Sequence, residues 1–166
     1  MELKRIVASL MLIMLLGTMV VNAEISRGRD EFTNGTVIGS YINVSDVIDS
    51  ISLTKTVTPN TSEYEIVAKN KTLRDFAFAK TFIEVKIDDN PTHRIDVKEL
   101  SSIRVPSSLV TYWFSVKAPA NDQIISELKL AKRVALRFQR VDNYSPVYVL
   151  PESVLAEWKE VINMEK

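Results

Sequence analysis

The clearest pattern in this 166-residue chain is the stretch PESVLAEWKEVI at residues 151–162. Its apolar residues recur at the spacing of one helical face: Val154, Leu155, Trp158, Val161 and Ile162. A proline stands at the start, where the first turn of a helix tolerates it. The stretch therefore predicts an amphipathic helix that buries its stripe against a sheet.

The residues before this helix mostly follow the two-residue period of β-strands. In residues 50–57, Ile51, Leu53 and Val57 share one parity, whereas serines and threonines occupy the other, which is typical of a half-buried strand. Similar patterns predict further strands at residues 36–43, 63–69, 76–88, 93–97, 109–117, 133–141 and 147–150. A shorter helix is predicted after residues 119–122, with its apolar face at Ile124, Ile125, Leu128 and Ala131.

These elements together predict a β-rich α+β fold. We expect about seven to eight strands in an antiparallel sandwich or a small barrel, with the C-terminal amphipathic helix packed on it. The length suits one domain, which we place at residues 33–166. Residues 24–32 are polar without periodicity and predict a flexible N-terminal lead.

Residues 1–23 have the features of a secretory signal peptide. Lys4 and Arg5 form a basic head, residues 6–21 form an apolar run, and small or apolar residues end the segment at Ala23. An uncleaved anchor is the alternative, but the run is shorter than the roughly 20 residues that span a bilayer. We therefore expect cleavage after Ala23 and export to the periplasm or the extracellular space.

The chain has no cysteine, which refines this expectation. It cannot carry the lipid-modified cysteine of a bacterial lipoprotein, so we expect a soluble protein with no membrane association after cleavage. Small secreted animal domains usually depend on disulfides, so a bacterial origin fits better. The 21 basic residues balance 21 acidic ones, which gives no basic footprint for nucleic acid.

Few catalytic motifs are compatible with this composition. The chain has one histidine, His93, and no cysteine, which limits catalysis severely and argues against a Ser-His-Asp triad, a multi-histidine zinc site or a Cys-His dyad. Four scattered glycines exclude a P-loop or a dinucleotide fingerprint. We predict no catalytic residue, metal or cofactor, and interpret His93 as solvated and Asp88-Asp89-Asn90 as a turn rather than a calcium loop.

Several aromatic residues do not fit a simple core pattern. Phe76, Phe78 and Phe82 interrupt the polar parity of the strand predicted at residues 76–88, so that face is partly covered. These and other aromatics either close a core or line a partner surface or pocket. The candidate partner or pocket surface comprises Phe76, Phe78, Phe82, Tyr112, Trp113, Tyr144 and Tyr148.

Asn-x-Ser/Thr sequons occur at Asn34, Asn43, Asn60, Asn70 and Asn143. They would accept glycans in a eukaryotic secretory pathway. In a bacterium they indicate turn-rich loops, and the absence of cysteine favours that interpretation.

Three functional hypotheses remain. The first is a non-enzymatic, exported binding or interaction module whose partner is a protein or an envelope component. The second is a small envelope-acting hydrolase that uses carboxylates which the sequence does not single out. The third is a structural subunit of a surface assembly, for which Phe76, Phe78 and Phe82 would supply the contact.

Overall fold

The computed structural model describes residues 24–30, 35–43, 50–72, 78–105, 111–141 and 147–164. The predicted signal segment lies outside these residues. The described part of the chain contains ten strands and two helices, which are β1 (Glu24–Asp30), β2 (Gly35–Asn43), β3 (Ser50–Val57), β4 (Ser62–Thr72), β5 (Phe78–Ile87), β6 (His93–Asp96), β7 (Glu99–Val105), β8 (Thr111–Ala120), α1 (Asp122–Leu130), β9 (Val134–Arg140), β10 (Val147–Val149) and α2 (Glu152–Asn163).

The strands form two antiparallel sheets. Sheet A has the order β1-β2-β3-β4-β8-β7, and sheet B has the order β10-β9-β5-β6. The predicted β-rich, antiparallel α+β fold with a C-terminal helix is confirmed, and the two described sheets do not close into a barrel. Two strands, β1 and β7, are additional to the eight that the sequence predicts.

β1 lies where the sequence predicts a flexible lead. It pairs with β2 over its whole length, from Glu24 opposite Tyr41 to Asp30 opposite Gly35. Residues 26–29 are exposed, and β1 is at the edge of sheet A. β1 is held by backbone pairing with β2, which leaves no hydrophobic period in the sequence. The sequence pattern therefore predicts a lead where the structure has a strand.

One hydrophobic core lies between the sheets and the helices. The predicted stripe of α2 is buried in full, and α2 packs on β2 and β3. Trp158 has no exposed surface and is among the largest fully buried side chains of the described core. Residues of both sheets and both helices share this core, and β5 and β6 of sheet B contact β8 of sheet A. No helix among the described residues is long and apolar enough to cross a membrane.

An irregularity in β5 changes the predicted faces of that strand. Its register against β9 shifts between Phe78 and Ile83. A β-bulge reverses the alternation of side chains, so Phe78 and Ile83 both point into the core. The Phe78 ring packs against Phe138 with ring centroids 5.7 Å apart. Phe78 is thus a core residue, and its predicted place on a partner surface is wrong.

The C-terminal end of α2 is held by β3. Lys55, only 7% exposed, donates from Nζ to the carbonyl oxygens of Ile162 at 3.1 Å and Met164 at 2.6 Å. The Tyr64 hydroxyl donates to the same Ile162 oxygen at 3.3 Å. A helix ends with unpaired carbonyl groups and a partial negative charge, and Lys55 satisfies both from another element.

Candidate functional site

The face of sheet A that points away from the core carries an exposed apolar pair at one corner. Trp113 of β8 lies directly between Ile103 of β7 and Lys71 of β4 in the strand register. Trp113 is 53% exposed and Ile103 is 65% exposed. The next row along the strands places Ser101, Ser115 and Lys69 beside them. We call these six residues the Trp113 corner.

The charges on this face are unevenly distributed. Both charged side chains of the Trp113 corner are lysines. The acidic residues of the face begin one row further along, where Glu99 accepts from the Lys117 ammonium at 2.9 Å. That hydrogen bond lowers the pKa of Glu99 and raises the pKa of Lys117. Glu99 is therefore held by Lys117 and not by a lysine of the Trp113 corner.

The Trp113 corner places an indole face, two serine hydroxyls and two lysine side chains on one face of sheet A. An indole presents a wide apolar face with negative π density, which stacks well on the apolar face of a ring. The serine hydroxyls both donate and accept hydrogen bonds, and the ammonium groups donate to anions.

A second polar cluster joins α1 to the turn between β5 and β6. The Glu127 carboxylate contacts His93 Nε2 at 2.8 Å and accepts from Asn90 Nδ2 at 2.9 Å. Gln123 Nε2 donates to its other oxygen at 3.1 Å. The His93 side chain is only 14% exposed, so His93 is part of a tertiary contact and is not the solvated residue that the sequence predicts.

Asp88 adds a second connection at the same turn. Its backbone has a positive φ of 46°, and its carboxylate accepts from the backbone N–H of Lys132 at 2.9 Å and of Arg133 at 2.7 Å. The predicted turn at residues 88–90 is therefore confirmed and is tied to the loop before β9. Within the described ranges, no group of three or more acidic, histidine or cysteine residues could hold a metal ion.

The Glu127 contacts predict a pH dependence of stability. Hydrogen bonds, first from His93 and then from Asn90, lower the pKa of Glu127 below its ordinary value of 4.5. The ionised carboxylate therefore stabilises the fold above about pH 4.5, and this contribution is lost as the pH falls through the lowered pKa. We expect Glu127→Gln to lower the urea midpoint at pH 7, with the difference from wild type closing in acid.

The matched control is Glu160→Gln, on an exposed position of α2. Urea unfolding at a series of pH values measures both variants against wild type. If the urea midpoint of Glu127→Gln stays below that of wild type by the same amount down to acid pH, the charge of the Glu127 carboxylate is not what holds α1.

The other predicted surface aromatics are dispersed. Phe76 and Tyr144 lie outside the described residues. Phe82 is half-buried on the outer face of sheet B, where the Arg94 guanidinium lies 3.3 Å from its ring centre. Tyr112 faces the core beside Phe114, with ring centroids 5.9 Å apart.

Tyr148 of β10 packs partly against the core, and burial raises the pKa of its hydroxyl above 10.0. Of the seven predicted aromatics, Trp113 is the one that the described structure exposes widely. The predicted contact through Phe76, Phe78 and Phe82 is not formed as a surface, because Phe78 is in the core and Arg94 covers Phe82.

The sequence pattern does not single out Ile103, Lys71 or Lys69 as site residues. Ile103 belongs to β7, whose mixed sequence ELSSIRV has no clear alternation. The lysines are ordinary polar positions of β4 until the register places them beside Trp113. Comparisons with protein-family models, curated proteins and solved structures find no match to this chain.

Proposed function

We propose that this protein is an exported, soluble, non-enzymatic binding module of a bacterial envelope or surface, and that it binds through the Trp113 corner. The observation that carries the proposal is the exposed Trp113–Ile103 pair on an open sheet face. Large apolar side chains grouped on a surface mark interaction sites. A cross-strand pair of this kind also stabilises a sheet by about 0.2–1 kcal/mol, so binding and folding need separate measurements.

The ligand that fits this chemistry best is an anionic glycan. A sugar ring has an apolar face that can stack on the Trp113 indole, and its hydroxyl groups match the Ser101 and Ser115 hydroxyls. Carboxylate or phosphate groups along the glycan would pair with the exposed Lys71. The hydrolase hypothesis gains less support, because Glu65, Glu84, Glu99 and Glu127 each pair with a basic side chain.

Export is supported by the predicted signal segment. Cleavage after Ala23 would remove none of the described residues, since β1 begins at Glu24. The mature chain would then keep both sheets and both helices. The protein used for binding experiments should therefore be secreted from cells that express the full chain, and its mass should correspond to a start at Glu24.

The binding test uses polygalacturonate as the anionic glycan and dextran as the neutral one. We expect Trp113→Ala to weaken polygalacturonate binding by at least about tenfold, because a central aromatic anchor is typically worth more than 1.4 kcal/mol. Lys71→Gln should weaken the binding of polygalacturonate and should leave the binding of neutral dextran unchanged. Isothermal titration calorimetry measures the affinities, and thermal melting checks that each variant is folded.

Leu130→Ala is the matched control, because Leu130 is also strongly exposed but lies on α1. It should bind as wild type does. Trp113 and Trp158 are the two tryptophans of the chain, so a ligand-induced fluorescence change should disappear in Trp113→Phe. Equal affinity of wild type and Trp113→Ala for the glycan would contradict the proposed surface.

A further inference from the structure

β10 is an edge strand of sheet B that contains no charged residue. Edge strands present unpaired backbone groups, and proteins usually protect them with charged side chains, proline or a short length. The other edge strands of the described sheets carry charges, such as Arg27 in β1, Arg94 in β6 and Glu99 in β7. Of these three protections, β10 has only its short length of three residues.

The hydrogen bonds of β10 show which backbone groups point outward. Leu150 N donates to Val134 O at 2.9 Å, which continues the antiparallel register between β10 and β9. Hydrogen-bonded pairs alternate along such a ladder. Tyr148 is therefore bonded to β9, whereas Val147 and Val149 direct their N–H and C=O groups away from it. No described strand lies on that side.

The side chains of the same two residues are open to solvent. Val147 is 63% exposed and Val149 is 42% exposed, on the outer face of sheet B. An added strand would satisfy the outward backbone groups of β10 and partly bury Val147 and Val149, as cross-strand neighbours do.

The charges beside β10 select the partner. A groove of about 340 Å³ lies on the outer face of sheet B and runs from Val147 of β10 across Arg133 and Arg137 to Lys86 of β5, so its charges adjoin the open edge from the side of β9. Glu84 is the carboxylate in this lining, and it is paired with Arg137. Two positive charges remain in excess, so an incoming strand should carry acidic side chains. Pairing of two copies through β10 would instead bring two such basic grooves together.

We propose that the β10 edge binds an extended, acidic segment of another protein by strand addition. This site is on sheet B and does not depend on the Trp113 corner of sheet A. The backbone of β10 supplies affinity, and the net positive charge of the groove on the adjoining outer face of sheet B supplies the preference for acidic residues through space.

The test measures fluorescence anisotropy of a labelled peptide that alternates glutamate with valine and threonine. The same peptide with lysine in place of glutamate is the charge control. We expect the full protein to bind the acidic peptide, more weakly at higher salt, and to bind the lysine peptide at least about tenfold less tightly.

Val149→Pro removes an outward N–H without breaking a bond to β9, a position where edge strands tolerate proline. It should weaken acidic-peptide binding by at least about tenfold. Arg133→Gln should weaken it by a few-fold. Arg94→Gln, at the opposite edge of sheet B, should leave it unchanged. If Val149→Pro melts early, Val147→Glu replaces it, because an acidic edge should repel the same peptide.

Equal binding of the two peptides would overturn the charge selection. Wild-type affinity in Val149→Pro and Val147→Glu would overturn the β10 edge as the site. Analytical ultracentrifugation completes the test by measuring the oligomeric state. If the wild type is a dimer that does not bind the acidic peptide, and Val149→Pro is a monomer, the β10 edge pairs with a second copy of the chain and the acidic partner is rejected.

Discussion

Trp158→Ala should reduce the free energy of unfolding by about 3–5 kcal/mol. The side chain has no exposed surface and lies in the middle of the α2 stripe, between Leu155 and Ile162. Truncation removes the transfer free energy of a large aromatic group and leaves a cavity that close-packed neighbours refill only in part. Since small domains are stable by only about 5–15 kcal/mol, this is the largest single effect we expect.

Thermal melting should show a decrease of roughly 6–20 °C for a domain of this size. Trp158→Phe is the informative comparison. The Trp158 indole Nε1 has no hydrogen-bond partner among the described residues, and an unpaired buried donor is itself unfavourable. Phenylalanine removes that donor and leaves a smaller cavity, so its cost should be well below that of alanine. An unchanged melting temperature in Trp158→Ala would contradict the docking of α2.

Elements with one buried face could be predicted from the sequence, because burial leaves a period. The α2 stripe has the helical period, and Ile51, Leu53 and Val57 of β3 have the strand period. The parity of β8 even separates Tyr112, which faces the core, from Trp113, which faces outward. Each of these elements packs apolar side chains against the core on one face and carries mostly polar side chains on the other.

The elements that escaped prediction are those without such a contrast. β1 and β7 are edge strands held by backbone hydrogen bonds to one neighbour, so their side chains need no alternation. The bulge in β5 moves Phe78 into the core without any local signal. These features depend on pairing partners that lie far away in the sequence.

The candidate site could be predicted only in part, because its residues also come from strands that are far apart in the sequence. Trp113 stands out as an aromatic on a polar parity, but its neighbours Ile103 and Lys71 come from strands that only the sheet register brings together. His93 and Glu127 are likewise 34 residues apart. A sequence can show that a residue is unusual, whereas the register decides what it touches.

Lys55→Met should reduce the free energy of unfolding by about 2–3 kcal/mol, the scale of hydrogen bonds to a charged group and of unsatisfied buried carbonyls. Lys55 lies on the apolar parity of β3, where its ammonium group reaches the Ile162 and Met164 oxygens. α2 has no basic residue in its own last turn. Lys55 therefore supplies from another strand the positive charge that usually stabilises a helix C-terminus.

Methionine keeps much of the length and apolar contact of the lysine side chain, so the variant tests the ammonium group rather than packing. Its stability should be measured by urea unfolding beside Lys80→Met, an exposed lysine of β5 whose replacement should change stability by no more than about 0.5 kcal/mol. Hydrogen exchange should also become faster at the amides of the last turn of α2. If Lys55→Met matches Lys80→Met in both measurements, the charge of Lys55 does not hold the helix end, and Tyr64 alone satisfies Ile162.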